Sequence, residues 1–252
     1  MDAYDPSDWA WEFLRRNPDY RAAWRASVPR HSPSLTLKDG TQFLRLRRRY
    51  PHAEQFGLFA FADPHQAARA APVFWLPSAT RRIVRARCAP PKSQQGVSPA
   101  GLAGFKVDRV AAIGTNNIPV VMLKGYGVNV TLEIHGLSVL TNPLDMVFEL
   151  DGLGDLNNQT ECLRLLQRFT QPPAGGSHRA LFASDERFRH ALIALDESMT
   201  GKTYRQIAMV IFGEKRVTEE WSGASQFLKD RTRRLVARGR ELMSGGYRDL
   251  LR

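Results

Sequence analysis

The side chains most able to do chemistry lie in residues 222–243, where the sequence predicts a helix. Leu228, Leu235 and Leu242 fall on one side of a helical wheel, together with Ala224. The opposite side is basic and polar, and consists of Gln226, Lys229, Asp230, Arg233 and Arg240, with Arg234 beside it. Arginine binds guanine through two hydrogen bonds, glutamine binds adenine in the same way, and further cations neutralise phosphates. Such a helix is typical of one that enters the major groove of DNA.

Other interpretations of this basic helix stay open. Arg-rich helical faces are often only solvated surface. The segment is also compatible with a protein-interaction module that sequesters a partner. A basic surface can in addition bind nucleic acid without sequence preference, because counterion release depends on charge alone.

Two shorter helices are predicted immediately before the basic helix. Ser184 is an N-cap candidate for the first of them, and Gly201 ends it. Thr203, followed three residues later by Gln206, forms a capping box at the start of the second. Gly213 ends this second helix. About nine residues then precede the basic helix, whereas a simple helix-turn-helix has a turn of three or four.

The predicted DNA contacts follow from this order of helices. Thr203 and Arg205 stand at the start of the second helix, where backbone N–H groups and the helix dipole attract a phosphate. The basic helix supplies the remaining contacts. The full predicted set is Thr203, Arg205, Ser222, Gln226, Lys229, Arg233, Arg234 and Arg240.

The composition favours a polyanionic partner. The chain has 36 Lys and Arg against 25 Asp and Glu, a net charge of +11, and a positive surface attracts phosphates. Cys88 and Cys162 are too few for a disulfide framework or a zinc site, and free thiols fit a reducing cytoplasm. The first residues lack a signal-peptide pattern, and no run approaches the length of a membrane span. We therefore predict a soluble, cytoplasmic, nucleoid-associated protein with no membrane partner.

The motifs of common enzymes are incomplete in this sequence. Residues 200–203 (TGKT) resemble the end of a phosphate-binding loop, but Asp196 stands where the first glycine is required. The six histidines have no metal-binding spacing, and no nucleophile elbow is present. We therefore predict no enzymatic activity, no cofactor and no metal.

The N-terminal residues predict two helices between residues 6 and 28, interrupted at Pro18. Trp9, Trp11 and Trp24 lie there, and the sequence leaves open a small core or a subunit interface. Two short apolar segments, 56–61 and 73–76, are strand candidates. Arginine clusters at 45–49 and 81–87 either extend a phosphate-binding surface or are solvated loops.

The middle of the chain predicts a sheet. Residues 118–124 and 128–135 form a hairpin, and 147–150 add a strand. A helix follows at 156–169. Proline- and glycine-rich stretches at 88–101 and 171–177 are linker candidates. We therefore predict an α+β region with small helices and an antiparallel sheet at 1–175, with a sub-boundary in 88–101, and an all-α helix-turn-helix-like domain at 181–252.

Residue patterns at both ends of the chain resemble a family of proteobacterial regulators. The C-terminal patterns are YRQIA at 204–208, FG at 212–213, RTRRLV at 231–236 and GGYRDLL at 245–251. The N-terminal patterns are DWAWEFLRRNPDY at 8–20, FGL at 56–58 and PVFW at 72–75. Together they resemble the FseA/RovC-type transcriptional activators, which join a Trp-rich regulator-like domain to a helix-turn-helix-like domain.

This resemblance implies a sequence-specific, promoter-binding transcriptional activator. Its target genes would be those for transfer of an integrative and conjugative element, under quorum sensing, or for secretion. The resemblance also implies homo-oligomers, contact with RNA polymerase, and capture by a small anti-activator protein.

Overall fold

The computed structural model describes residues 4–27, 34–46, 48–89, 101–115, 117–136, 145–170, 185–221 and 226–252. Both predicted linkers lie essentially outside these ranges. Only the ends of the first are described, because residues 88 and 89 finish a strand and residue 101 begins a short 3-10 segment. Ser184, Ser222 and Ala224 also lie outside the described residues.

Helices begin and end the described chain. They are α1 (Pro6–Leu14), α2 (Pro18–Ser27), α3 (Pro51–Glu54), α4 (Leu156–Thr170), α5 (Asp185–Met199), α6 (Tyr204–Phe212), α7 (Glu214–Glu220) and α8 (Phe227–Met243). Two 3-10 segments span Gly101–Gly104 and Gly246–Leu251. Every element described from Leu156 onward is helical, which confirms the predicted all-α C-terminal region.

The described chain also contains a seven-stranded sheet. Its strands are β1 (Ser34–Thr36), β2 (Gln42–Arg45), β3 (Ile83–Ala89), β4 (Asp108–Ile113), β5 (Pro119–Gly125), β6 (Val128–Gly136) and β7 (Asp145–Glu149), in the order β1-β2-β4-β5-β6-β3-β7. The α+β class is confirmed, with one correction to the sheet. Pairs β2–β4 and β3–β6 are parallel, so the sheet is mixed. Strand β3 precedes the β4–β5–β6 meander in sequence, yet it pairs with β6, the last strand of that meander. Strand β2 pairs with β4, the first strand of the meander.

The predicted hairpin is confirmed between β5 and β6. Gly125 pairs with Val128, so Tyr126 and Gly127 alone form the turn. Both have positive φ, 52° and 71°, which is the type I′ geometry that matches strand twist. The alternating residues of β6 are buried on one face, as predicted: Val128, Val130, Leu132 and Ile134.

The structure also tests the predictions for the N-terminal tryptophans and for the two apolar segments at 56–61 and 73–76. Trp9 and Trp11 are buried in a core shared by α1 and the C-terminal helices, so the core interpretation is confirmed for both. Trp24 is half-buried. The two apolar segments form no full strands and meet only at a bridge between Leu58 and Trp75.

Buried carboxylates attach α1 to the sheet. Asp5 caps α1 by accepting a hydrogen bond from the Asp8 N–H at 2.9 Å, and its other oxygen accepts from the Asn129 N–H at 2.7 Å. Asp8 pairs with Lys124 at 3.2 Å. Burial, together with the neighbouring Asp5, raises the pKa of Asp8 to about 6. Ionised Asp8 is therefore less favourable in the folded protein than in the unfolded chain.

We expect the stability of the protein to depend on the charge of Asp8. The pKa of Asp8 is higher in the folded state, so the folded protein binds more protons near pH 6 and gains stability as the pH falls. Between pH 7 and pH 5 the wild type should gain about 1 kcal/mol relative to Asp8→Asn. Urea unfolding of both proteins at the two pH values measures this difference. A constant difference would contradict the assignment.

Candidate nucleic-acid interface

The C-terminal helices pack around two small apolar clusters. Ala194, Ile207 and Val236 join α5, α6 and α8. Ala208 and Leu228 form the second cluster with α7, through Val217. Small alanines at both contacts allow the helices to approach closely. Leu228 and Leu242 are buried as predicted, whereas Leu235 is only half-buried.

The closest approach is that of α5 to α8 at Gly239. A Cβ atom placed on Gly239 would lie 2.6 Å from the carbonyl oxygen of Ala191 and 2.9 Å from the Cβ of Leu195. Only glycine fits this crossing. Thr232 is also fully buried in α8, and its hydroxyl donates to the Leu228 carbonyl oxygen at 2.7 Å. The sequence pattern missed both residues because neither is an apolar side chain.

The start of α6 has the predicted cap. Thr203 Oγ1 accepts a hydrogen bond from the Gln206 N–H at 3.4 Å, and Gln206 Oε1 accepts from the Thr203 N–H at 2.9 Å. Arg205 is exposed and has no ion pair or hydrogen bond with any described residue. Tyr204, the first residue of α6, is 42% exposed.

The connection between α6 and α8 contains a helix that the sequence did not predict. Gly213, with φ of 89°, ends α6 and begins α7 directly. Val217 is buried and anchors α7 to the second cluster. The connection is therefore long because it holds an additional helix.

The basic helix begins later than predicted. Gln226 has φ of 44°, a left-handed conformation that ends helical geometry, so α8 starts at Phe227 and not at residue 222. Gln226 is consequently the N-cap residue of α8 and lies outside its helical turns. Ser222, the other contact predicted at this end, lies outside the described residues.

The exposed face of α8 brings four of the predicted cations together. Lys229, Arg233, Arg234 and Arg240 are all exposed. Lys229 and Arg234 have no partner among the described residues. Arg233 pairs with Asp230 at 3.2 Å, and Arg240 donates to Ser198 Oγ at 3.4 Å. The predicted face is therefore present, and its cations differ in how firmly they are held.

The arginines at the edges of α8 have local partners. The Arg231 guanidinium lies 4.8 Å from the centre of the Phe212 ring, so it packs against α6. Arg238 pairs with Glu241 at 2.7 Å. Arg231 therefore contributes to packing between helices, and Arg238 to an ion pair within α8.

The C-terminal helices also contact the N-terminal region directly. Arg16, two residues after the end of α1, donates to both carboxylate oxygens of Asp196 in α5, at 2.5 and 2.8 Å. The Asn17 side chain donates to the Met243 carbonyl at the end of α8. Tyr247 is buried, and its hydroxyl donates to the carbonyl oxygen of Phe56 at 3.0 Å. These contacts fix the end of α8 to the N-terminal core.

Two segments of the chain match known protein families. Residues 147–252 match the RovC family, described as a DNA-binding domain of T6SS transcription factors. Residues 1–45 match a proteobacterial transcriptional regulator-like domain. The chain therefore carries a RovC-type DNA-binding domain of transcription factors, joined to a regulator-like segment. No curated protein matches the chain significantly.

The RovC-type match agrees with the resemblance and with the predicted lack of enzymatic activity, because these DNA-binding domains are not enzymes. The match begins within β7, ahead of the division predicted near residue 176. That division remains a prediction, since residues 171–184 lie outside the described ranges.

Elsewhere in the chain, several arginines of the two clusters at 45–49 and 81–87 form ion pairs. Arg82 pairs with the buried Asp5, Arg87 with Glu149 at 2.9 Å, and Arg49 with Glu54. Within the described ranges no cluster of His, Cys, Asp and Glu could hold a metal. No helix described there is long and apolar enough to cross a membrane. Both cysteines are buried free thiols, and burial raises the pKa of each.

We expect Gly239→Ala to destabilise the RovC-type domain. Alanine normally stabilises a helix by about 1 kcal/mol over glycine, but here its methyl group would collide with the α5 backbone. Overpacking of this kind costs about 1–3 kcal/mol. The matched control is Ala237→Gly, at an exposed position of α8, which should cost about 1 kcal/mol through helix propensity alone. Thermal unfolding of both variants measures the effects, and a stabilised Gly239→Ala would exclude the close crossing.

Proposed function

We propose that the protein is a sequence-specific transcriptional activator that docks α8 in the major groove of promoter DNA. The observation that carries this proposal is the outward row of Lys229, Arg233, Arg234 and Arg240 on a helix whose other face is buried. The exposed Ala237 lies between these cations, and its small side chain lets the helix approach DNA closely. The RovC-type match supports DNA binding by the region that contains this helix.

The proposed contacts divide by position along the helices. Gln226 and Arg233, at and near the start of α8, would contact base edges, because the first turns of a recognition helix meet the bases. Lys229, Arg234 and Arg240 would contact phosphates or bases beside them. Thr203 and Arg205 would meet a phosphate at the start of α6. The Thr203 hydroxyl and N–H already form the capping box, so Thr203 would serve this contact by orienting the start of α6, and Arg205 would supply the charge.

The proposal also assigns roles to the two parts of the chain. Residues 181–252 would bind DNA, and residues 1–175 would supply self-association, so that several weakly binding copies recognise a repeated site together. The target genes would be those for conjugative transfer, under quorum sensing, or for secretion. RNA polymerase and a small anti-activator would be the protein partners, in the bacterial cytoplasm.

An exposed apolar surface supports self-association. Val147 and Phe148 on the edge strand β7, followed by Leu150 and Leu153, are all exposed, and Leu153 is 83% exposed. Exposed apolar side chains grouped at one edge of a sheet commonly mark a protein interface. Among the described strands β7 is an edge strand, and a strand edge offers backbone hydrogen-bonding groups to a partner. We assign this surface, the β7 surface, to contact between copies.

DNA binding is tested with Arg233→Ala/Arg234→Ala. The wild type should bind the duplex upstream of promoters in its own genetic neighbourhood about a thousandfold more tightly than a shuffled duplex. The double variant should lose this preference, and each lost phosphate contact should lower the salt slope by about 1. Fluorescence anisotropy at two salt concentrations measures both quantities.

The matched control for this test is Arg164→Ala/Arg168→Ala, which removes the same charge from the exposed side of α4. It should retain the preference. Equal binding of both duplexes with a steep salt slope would instead indicate an electrostatic accessory factor. No binding at all would indicate a protein-interaction module.

Self-association is tested with Leu150→Lys/Leu153→Lys. Both side chains are exposed, so the folded protomer should tolerate the change, whereas a charge buried between copies would not be tolerated. The mass measured by analytical ultracentrifugation should fall to the 28.4 kDa of one chain. Leu35→Lys, on the opposite edge strand β1, is the control and should leave the mass unchanged. A wild type that is already monomeric would contradict this assignment.

A further inference from the structure

One feature of the α8 face works against DNA affinity. Asp230 is exposed on the same face as Lys229, Arg233 and Arg234, and a carboxylate there repels phosphate. The sequence of α8 contains just one other acidic residue, Glu241, near its end. A helix that bound DNA only through charge would gain from a neutral residue at position 230.

The geometry shows what Asp230 contacts. Its Oδ1 lies 3.2 Å from Nη2 of Arg233, one helical turn later. The side chains are 52% and 69% exposed, so the pair projects from the helix. Lys229 and Arg234 beside it have no partner among the described residues. Among the outward-facing cations in this first part of α8, Arg233 is thus the one with a carboxylate partner among the described residues.

The Asp230–Arg233 pair lies near the start of α8, where a recognition helix meets the bases. Phe227 is the first residue of α8, so Asp230 and Arg233 occupy its first two turns. These turns of a recognition helix meet base edges. Recognition of guanine needs both arms of the guanidinium in the plane of the base. An arginine held beforehand loses less conformational freedom when it binds.

We propose that Asp230 is a positioning residue for base recognition. It orients the Arg233 guanidinium toward a guanine, and its negative charge weakens binding to DNA of other sequence. This inference rests on the proposed function of α8 as the helix that contacts DNA.

A purely structural role for Asp230 makes different predictions. An acidic residue in the first turn of a helix interacts favourably with the helix dipole, and an exposed ion pair adds little stability. In that case neutralising Asp230 would lower the melting temperature slightly. The preferred DNA sequence would stay the same.

The experiment selects binding sites from a random-sequence duplex library with the full-length protein. The variants are Asp230→Asn, Arg233→Ala, the double variant, and Glu241→Gln as the matched control. Glu241→Gln removes the same charge from α8 but leaves the Asp230–Arg233 pair intact. Dissociation constants are then measured on the selected duplex and on a shuffled one.

We expect Asp230→Asn to lose the preference for one G·C pair by roughly tenfold, while its binding to shuffled duplex becomes tighter. Glu241→Gln should bind shuffled duplex more tightly but select the wild-type sequence. Arg233→Ala should lose the same G·C preference, and adding Asp230→Asn to it should change the preference no further.

Three other outcomes are distinguishable. If the wild type selects no sequence, the proposed function itself fails. If Asp230→Asn selects the wild-type sequence unchanged, the positioning role is wrong although the proposed function stands. If the G·C preference survives in Arg233→Ala and disappears only when Asp230→Asn is added, Asp230 contacts a cytosine itself, which also overturns the positioning role.

Discussion

The contact on which the proposed DNA-binding face of α8 depends is the crossing of α5 and α8 at Gly239. Because Gly239 has no side chain, the α5 backbone lies within contact distance of α8. The buried hydroxyl of Thr232 finds its hydrogen-bond acceptor within α8 itself. The helix can therefore bury one side although that side is not continuously apolar. Because this side is fixed against α5 and α6, the opposite side is held toward solvent with its cations exposed.

A second set of contacts ties this helical unit to the rest of the chain. Arg16 and Asn17 lie at and just beyond the end of α1, and they bind α5 and the end of α8. The two indoles of α1, Trp9 and Trp11, are buried in the same core as Leu242 and Tyr247 of the C-terminal region. The regulator-like and DNA-binding segments thus share apolar burial and not only a covalent link. Helix α1 directly contacts the helix proposed to bind DNA, so a change in the packing of α1 affects a neighbour of that helix.

Some basic side chains of the protein are paired with carboxylates, and others have no such partner among the described residues. On β3 and around α3 the arginines are used in pairs with nearby carboxylates, such as Arg87 with Glu149. On α6 and α8, Arg205, Lys229 and Arg234 have no such partner among the described residues. An unpaired cation binds phosphate without first breaking an ion pair. The unpaired cations on α6 and α8, more than the net charge of +11, therefore support the proposed interface.

The sequence by itself determined the features that depend on local physical chemistry. The capping box of α6, the β5–β6 hairpin and the amphipathic character of α8 all follow from neighbouring residues, and all were predicted. Tertiary structure decided the rest. The parallel pairing of β3 with β6 joins strands far apart in the chain, and no local pattern specifies it. The start of α8 depends on a left-handed Gln226, and the burial of Gly239 depends on α5. Which arginines stay free also depended on the fold, because an ion pair such as that of Arg16 with Asp196 joins residues from opposite ends of the sequence.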